Sequence, residues 1–85
     1  MWTESDGVLS RDVKTPDFLS AFRLVEALVA PAEAADHHPD LGFGWGYVRI
    51  RLTTHDAGGI TAKDRELAAV YDALIARCLA DTTAR

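Results

Sequence analysis

The hydrophobic pattern changes period along the chain, and each change predicts an element. Residues 8 to 13, "VLSRDV", form a short, imperfectly alternating run after Asp6-Gly7, a dipeptide favoured in tight hairpin turns. A strand is expected over Val8 to Val13, with an antiparallel partner starting near Trp2. From Phe18 the period lengthens: Phe18, Phe22, Val25, Val29 and Ala32 recur at helical spacing, with Leu28 beside the stripe. Thr15-Pro16-Asp17 supplies the helix start, with Thr as cap, Pro in the first turn and Asp at the positive dipole end. Pro31 falls inside this helix and removes the N–H that would bond the Ala27 carbonyl, so a kink or a break and restart is expected.

The helix must end before Pro39, because proline disfavours helical geometry at His38. The adjacent His37 and His38 therefore sit at a helix-to-loop junction. Gly42, Gly44 and Gly46 weaken the next stretch as a strand, after which "YVRIRLTT" alternates with Val48, Ile50 and Leu52 on one face and ends just before His55. "HDAGG" reads as a turn, and Thr61 three positions ahead of Asp64 is close to a capping box. Leu67, Val70, Tyr71, Leu74 and Cys78 then form a second helical stripe. The order strand, strand, helix, strand region, helix predicts a single α+β domain over residues 1–85, with two helices on one face of an antiparallel sheet of three to four strands.

Composition narrows the function classes. A chain of 85 residues hides only about three-fifths of its unfolded surface, so self-association would help it. With 48% hydrophobic and 26% charged residues it is neither disordered nor membrane-spanning by composition. The net charge of −4 disfavours a phosphate backbone as partner, and Arg49 and Arg51 read as a solvated strand face. Cys78, the single cysteine, excludes an intrachain disulfide and is expected in the core. "MWTESDGVL" lacks the basic start and apolar run of a secretory signal, so a cytoplasmic location is expected.

Glu33, His37, His38, Trp45, His55 and Asp64 all fall at element boundaries. Taken singly, each has a structural explanation: polar helix exit, turn residue, helix cap or packing. No Cys pair or His-x-x-x-His spacing supports a closed zinc site, so no metal is expected. No nucleophile elbow or dinucleotide fingerprint occurs either.

Together these residues read Glu33, three residues, His37-His38-Pro39, five residues, Trp45, nine residues, His55, eight residues, Asp64. This resembles the signature of the pterin-4a-carbinolamine dehydratases. "DFLSAFRLV" is similar to that family's first long helix start, and "VRIRLTTHDAGGITAKDRELA" to its strand, Thr-His turn and final helix, so the resemblance covers most of residues 2 to 75. Phe43 stands where the family often has Asn, Gly44 where a strand residue is usual, and Trp45 where Tyr is frequent. Many members carry a further helix ahead of the position of Trp2, which the fold expected here lacks.

The resemblance implies an α+β fold and loss of water from a 4a-hydroxytetrahydropterin, giving the quinonoid dihydropterin. The reaction serves the recycling of the pterin used by aromatic amino-acid hydroxylases, with the pterin as substrate and no cofactor. Imidazole titrates at about pH 6.5, so it can give or take a proton near neutrality. By resemblance His37 and His55 are the proton-transfer pair with acid and base unassigned, His38 orients the substrate, and Asp64 and Glu33 orient the imidazoles. Asp36 to His38, Pro39 and Thr53 to Asp56, including Thr54, would line the pocket, with Trp45 as an aromatic wall. A homodimer by sheet extension, or a homotetramer by helix packing, is also implied. So is a rival function: members of the family also act as a dimerisation cofactor or assist the assembly of an enzyme.

Overall fold

The computed structural model describes the backbone of residues 1–83 and the side chains of residues 1–80. Strand β1 (Thr3–Ser5) turns through Asp6 and Gly7 into β2 (Val8–Lys14). Both turn residues have positive φ, +53° and +76°, which is the mirror-image turn that matches the twist of paired strands. Gly7 is also pressed against the loop after β4, where an added Cβ would lie 3.3 Å from Gly59 Cα. The expected hairpin is therefore present, and its turn is also a packing element.

Helix α1 (Phe18–Ala35) starts two residues later than the Thr-Pro signal suggests. Asp17 is the cap, its carboxylate accepting from Ser20 N–H at 2.8 Å, while the Thr15 hydroxyl donates to the Asp17 carbonyl at 3.2 Å. Pro16 lies ahead of the helix, and the helix passes Pro31 without a break and restart. The buried face is only in part the one expected. Ala21, Leu24, Leu28 and Ala32 are buried, whereas Phe18, Phe22 and Val29 are exposed. Two apolar stripes, one residue apart, share this helix. The one with alanines at both ends approaches the sheet, and Phe18 and Phe22 instead reach over the sheet edge to Phe43, with ring centroids 5.6 and 6.4 Å away.

Strands β3 (Asp40–Gly44) and β4 (Tyr47–Leu52) pair in antiparallel register from Asp40↔Arg51 to Gly44↔Tyr47. The glycines do not prevent β3 from forming. The Tyr47 ring lies over Gly44, within 2.7 Å of where a Cβ would sit, so the cross-strand aromatic fills the space that glycine leaves. The sheet order is β1-β2-β4-β3 with every pair antiparallel. Val48, Ile50 and Leu52 face the helices; Arg49 and Arg51 face solvent on the open side.

A 3-10 turn, His55–Ala57, leads to helix α2 (Ala62–Thr83). Its core face is Leu67, Ala68, Tyr71 and Ile75, with Leu74 and Cys78 partly buried against it. Val70, expected in that stripe, is 45% exposed. The Tyr71 hydroxyl donates to the Leu28 carbonyl at 3.0 Å and ties the two helices together. Asp72 of α2 holds Trp2 and Arg11, and Arg65 pairs with Glu4, which fixes α2 over β1 and β2. The result is an α+β fold with both helices on one face of a four-stranded open sheet. No helix among the described residues is long and apolar enough to cross a membrane.

Candidate active site

The site forms where α1 ends, β4 ends and α2 begins. At the end of α1, Asp36 adopts φ +50° and ψ +43°, and its N–H and that of His37 donate to the Glu33 and Ala32 carbonyls. This pattern closes a helix with a left-handed residue, usually glycine, and it turns the chain sharply. His37 is thereby sent back toward α2 while His38 stays on the surface. The sequence locates this junction through Pro39, but the reversal is made by Asp36.

Asp64 is fully buried, and its carboxylate organises the site. Oδ2 accepts from the Thr61 N–H at 2.8 Å, as the capping pattern requires, and from the Thr54 hydroxyl at 2.7 Å. Oδ1 lies 2.5 Å from His37 Nε2. The Thr61 hydroxyl donates to Thr54 Oγ1 at 2.8 Å, because the single Thr54 proton is used on Asp64. Burial alone would push the Asp64 carboxyl up. The hydrogen bonds from His37, the Thr61 backbone and Thr54, with the charge of His37, outweigh it and hold the group below its ordinary value. An ionised carboxylate only accepts, so Nε2 of His37 carries a proton toward it, and whenever the ring is neutral Nδ1 is the nitrogen left with a lone pair.

The second histidine has a parallel but exposed arrangement, with His38 Nε2 2.5 Å from Glu33 Oε2. His55, at the start of the 3-10 turn, is exposed and its ring makes no hydrogen bond among the described residues. A cavity of about 360 Å³ is lined by Asp36, His37, His38, Thr53, Thr54, His55, Asp56 and Lys63. The three histidines expected from sequence thus border one space. Thr53 and Thr54 border it too, with their hydroxyls already directed to the Gly7 carbonyl and to Asp64. The Thr54 N–H donates to the Gly59 carbonyl at 3.0 Å, so Thr54 meets the cavity without a free backbone donor.

Other expected residues lie off this space. Trp45 is at the tip of the β3–β4 hairpin, 72% exposed, at the far end of those strands from Thr53. The antiparallel register carries it there, so it forms no wall of the cavity in this chain. Pro39 leads into β3, and Glu33 reaches the site only through His38. Conversely, Lys63 lines the cavity and was not singled out from sequence, although its place beside the capping Asp64 was the available signal. Among the described residues no three His, Cys, Asp or Glu side chains converge to hold a metal ion.

An α+β scaffold that orients histidines with carboxylates around one open cavity brings together the groups that acid–base chemistry on a small polar ligand would require. The sequence profile of the family described as pterin 4 alpha carbinolamine dehydratase matches residues 1–74. The chain belongs to that family. It is 48% identical over 73 residues to a protein of Picosynechococcus sp., covering 86% of this chain and 79% of that one. It is 49% identical over 75 residues to a protein of Solibacter usitatus, covering 88% and 79%. Both relatives bear the name pterin-4-alpha-carbinolamine dehydratase as a provisional assignment. Among solved structures, a transcriptional coactivator/pterin dehydratase from Brucella melitensis superposes with a TM-score of 0.81 at 30% identity, covering 87% of this chain and 81% of that one. A pterin dehydratase-like protein identified as a RuBisCO assembly factor in the alpha-carboxysome superposes with a TM-score of 0.71 at 25% identity, covering 88% and 87%.

Proposed function

We propose that this protein dehydrates 4a-hydroxytetrahydropterins to quinonoid dihydropterins by histidine acid–base catalysis. The observation that carries the proposal is the His37–Asp64–Thr54–Thr61 chain, which holds one imidazole in a fixed tautomer beside the cavity. In the proposed step Nδ1 of His37 takes the proton from N5 of the pterin. The N5 electron pair forms the N5=C4a bond, the C4a–O bond breaks, and His55 delivers a proton to the departing hydroxyl as water leaves. Asp64 stabilises the imidazolium formed on His37, as a buried carboxylate does for a general base. His55 is open to solvent and regains its proton there. His38, held by Glu33, orients the ligand together with Asp36 and Asp56. Only protons and water move, so the reaction as proposed needs no metal or organic cofactor.

Supporting this reading are the family membership and the retention of all three histidines with both carboxylates. The reaction would serve pterin recycling alongside an aromatic amino-acid hydroxylase in the cytoplasm. Turnover of a 4a-hydroxytetrahydropterin, followed by stopped flow, tests it: the intact protein should exceed buffer, and His37→Ala and His55→Ala should each fall back toward the uncatalysed rate. An intact protein no faster than buffer would end this reading.

A second reading, a binding or assembly role on the same fold, is favoured by one observation. Phe18 and Phe22 are exposed beside Phe43 on the sheet-edge strand β3, and Val29 is exposed further along the same helix. An open strand edge next to an apolar helix stripe is suited to adding a second copy. We assign that surface to a homodimer in which the sheets join at β3. Assembly of this kind is compatible with catalysis and with the partner-binding roles given for the two structural neighbours.

A further inference from the structure

A second, largely apolar groove lies next to the histidine-lined cavity and shares Lys63 with it. Between the last turns of α1 and the first turns of α2 runs a groove of about 480 Å³ whose walls include Pro31, Ala34 and Ala35 on one side and Leu67 and Val70 on the other. Lys63 borders both this groove and the cavity that holds His37, His38 and His55. The two spaces also adjoin along the chain, since Ala35 lines one and Asp36 the other. The residues involved have little other use for this exposure: Val70 leaves the core stripe of α2 and is 45% exposed, and Ala34 and Ala35 present only methyl groups.

We infer that this groove receives the substituent carried by the pterin ring, and that the protein prefers pterins with an extended apolar or aromatic substituent over those with a methyl group. The inference rests on the dehydratase reading for the identity of the ring, which occupies the polar cavity. From Lys63 to Val70 is seven residues of α2, about 10 Å of helix rise, enough for an aryl group and its linkage. The Lys63 side chain lies at the junction, where its methylenes can cover the linkage while its ammonium stays in water. Small residues on α1 keep the groove open, so one large side chain at Ala34 would close it without entering the polar cavity. Ala34 is exposed in a regular helix, and a bulky residue there leaves the core as it is.

The test is equilibrium binding read by pterin fluorescence, with 6-phenylpterin and 6-methylpterin as probes, on the intact protein and on Ala34→Trp. The phenyl compound should bind at least roughly tenfold more tightly, the margin expected for filling an apolar pocket, and Ala34→Trp should remove that preference while leaving 6-methylpterin unchanged. Equal affinity for the two probes, or an equal loss of both in Ala34→Trp, would overturn the inference. So would a change in oligomeric state with unaltered binding in the variant, which would make the groove a protein contact. Turnover of the 4a-hydroxy derivative of the methyl-substituted pterin, measured in parallel, reports on the dehydratase reading by itself, because that substrate does not reach the groove.

Discussion

His37 Nε2 lies 2.5 Å from Asp64 Oδ1 although 27 residues separate them, and the carboxylate is fully buried while the imidazole ring is 11% exposed. One contact joins the end of the first helix to the start of the second. It also sets the tautomer of the ring that faces the cavity. The structural cap is also the group proposed to orient the catalytic imidazole, so a single substitution should register in two measurements.

Asp64→Asn should lower kcat by about 10²- to 10⁴-fold, because the amide no longer enforces the Nε2–H tautomer or stabilises an imidazolium. Glu33→Gln should lower kcat less than tenfold by the same reasoning: its pair with His38 is exposed on both sides, with side chains 66% and 56% accessible. Steady-state kinetics on the two variants checks the contrast. Equal losses would show that burial of the carboxylate does not matter.

The same carboxylate should make stability fall in acid. Its folded-state value lies below the ordinary 3.8, so the unfolded chain takes up the proton first as the pH drops. The stabilisation is complete above pH 3.8 and is lost as the pH falls through the folded-state value. Urea unfolding between pH 7 and pH 3 should therefore show the difference between the intact protein and Asp64→Asn shrinking toward the acid end. A constant difference would mean that another group carries the acid sensitivity.

Tyr71 gives the opposite sign at the alkaline end. Burial pushes its phenol from 10.0 to about 12, so the folded state keeps a proton that the unfolded chain releases. That contribution is full below pH 10 and disappears as the pH rises to about 12. Tyr71→Phe should flatten the stability profile in this window. At neutral pH it should cost about 1 kcal/mol for the lost bond to Leu28, or roughly 4–8 °C in Tm for a domain of this size. Thermal melts at pH 7 and pH 11 decide both points.

Pro31 offers a gain instead. The helix continues through it, so the Ala27 carbonyl lacks its usual donor, and Pro31→Ala would restore that bond. Partly offset by the greater freedom of the unfolded chain, the substitution should stabilise the protein by about 2 kcal/mol and raise Tm. A lowered Tm would show that the helix depends on the ring contacts of Pro31 more than on the missing hydrogen bond.

Local signals were the legible part of the sequence. The Asp6-Gly7 turn, the alternation of Val48, Ile50 and Leu52, and the Thr61–Asp64 cap each depend on neighbours along the chain, and each appears in the structure. Choices settled by tertiary contact were not legible. Two apolar stripes on α1 satisfy the same period, and only the sheet decides that Leu24 is buried and Phe22 is not. The glycines of β3 looked unfavourable because the Tyr47 ring over Gly44 is a cross-strand contact. Spacing grouped the three histidines with Asp64, but it could not show that the hairpin carries Trp45 away from them.

The apolar stripe that sequence periodicity assigned to the core now has a different role to test. Phe22 is exposed beside Phe43, and β3 is the outer strand next to β4. If the sheets of two copies join at β3, these rings meet across the junction and are removed from water. A charge placed there would then have to be buried or the contact given up, and the second costs less. Phe22→Glu should therefore shift the protein from dimer to monomer in sedimentation velocity, with no loss of folded-state circular dichroism because the ring is not in the core. An intact protein that sediments as a monomer at the highest attainable concentration would remove this assignment. A variant that stays dimeric would place the interface on another surface.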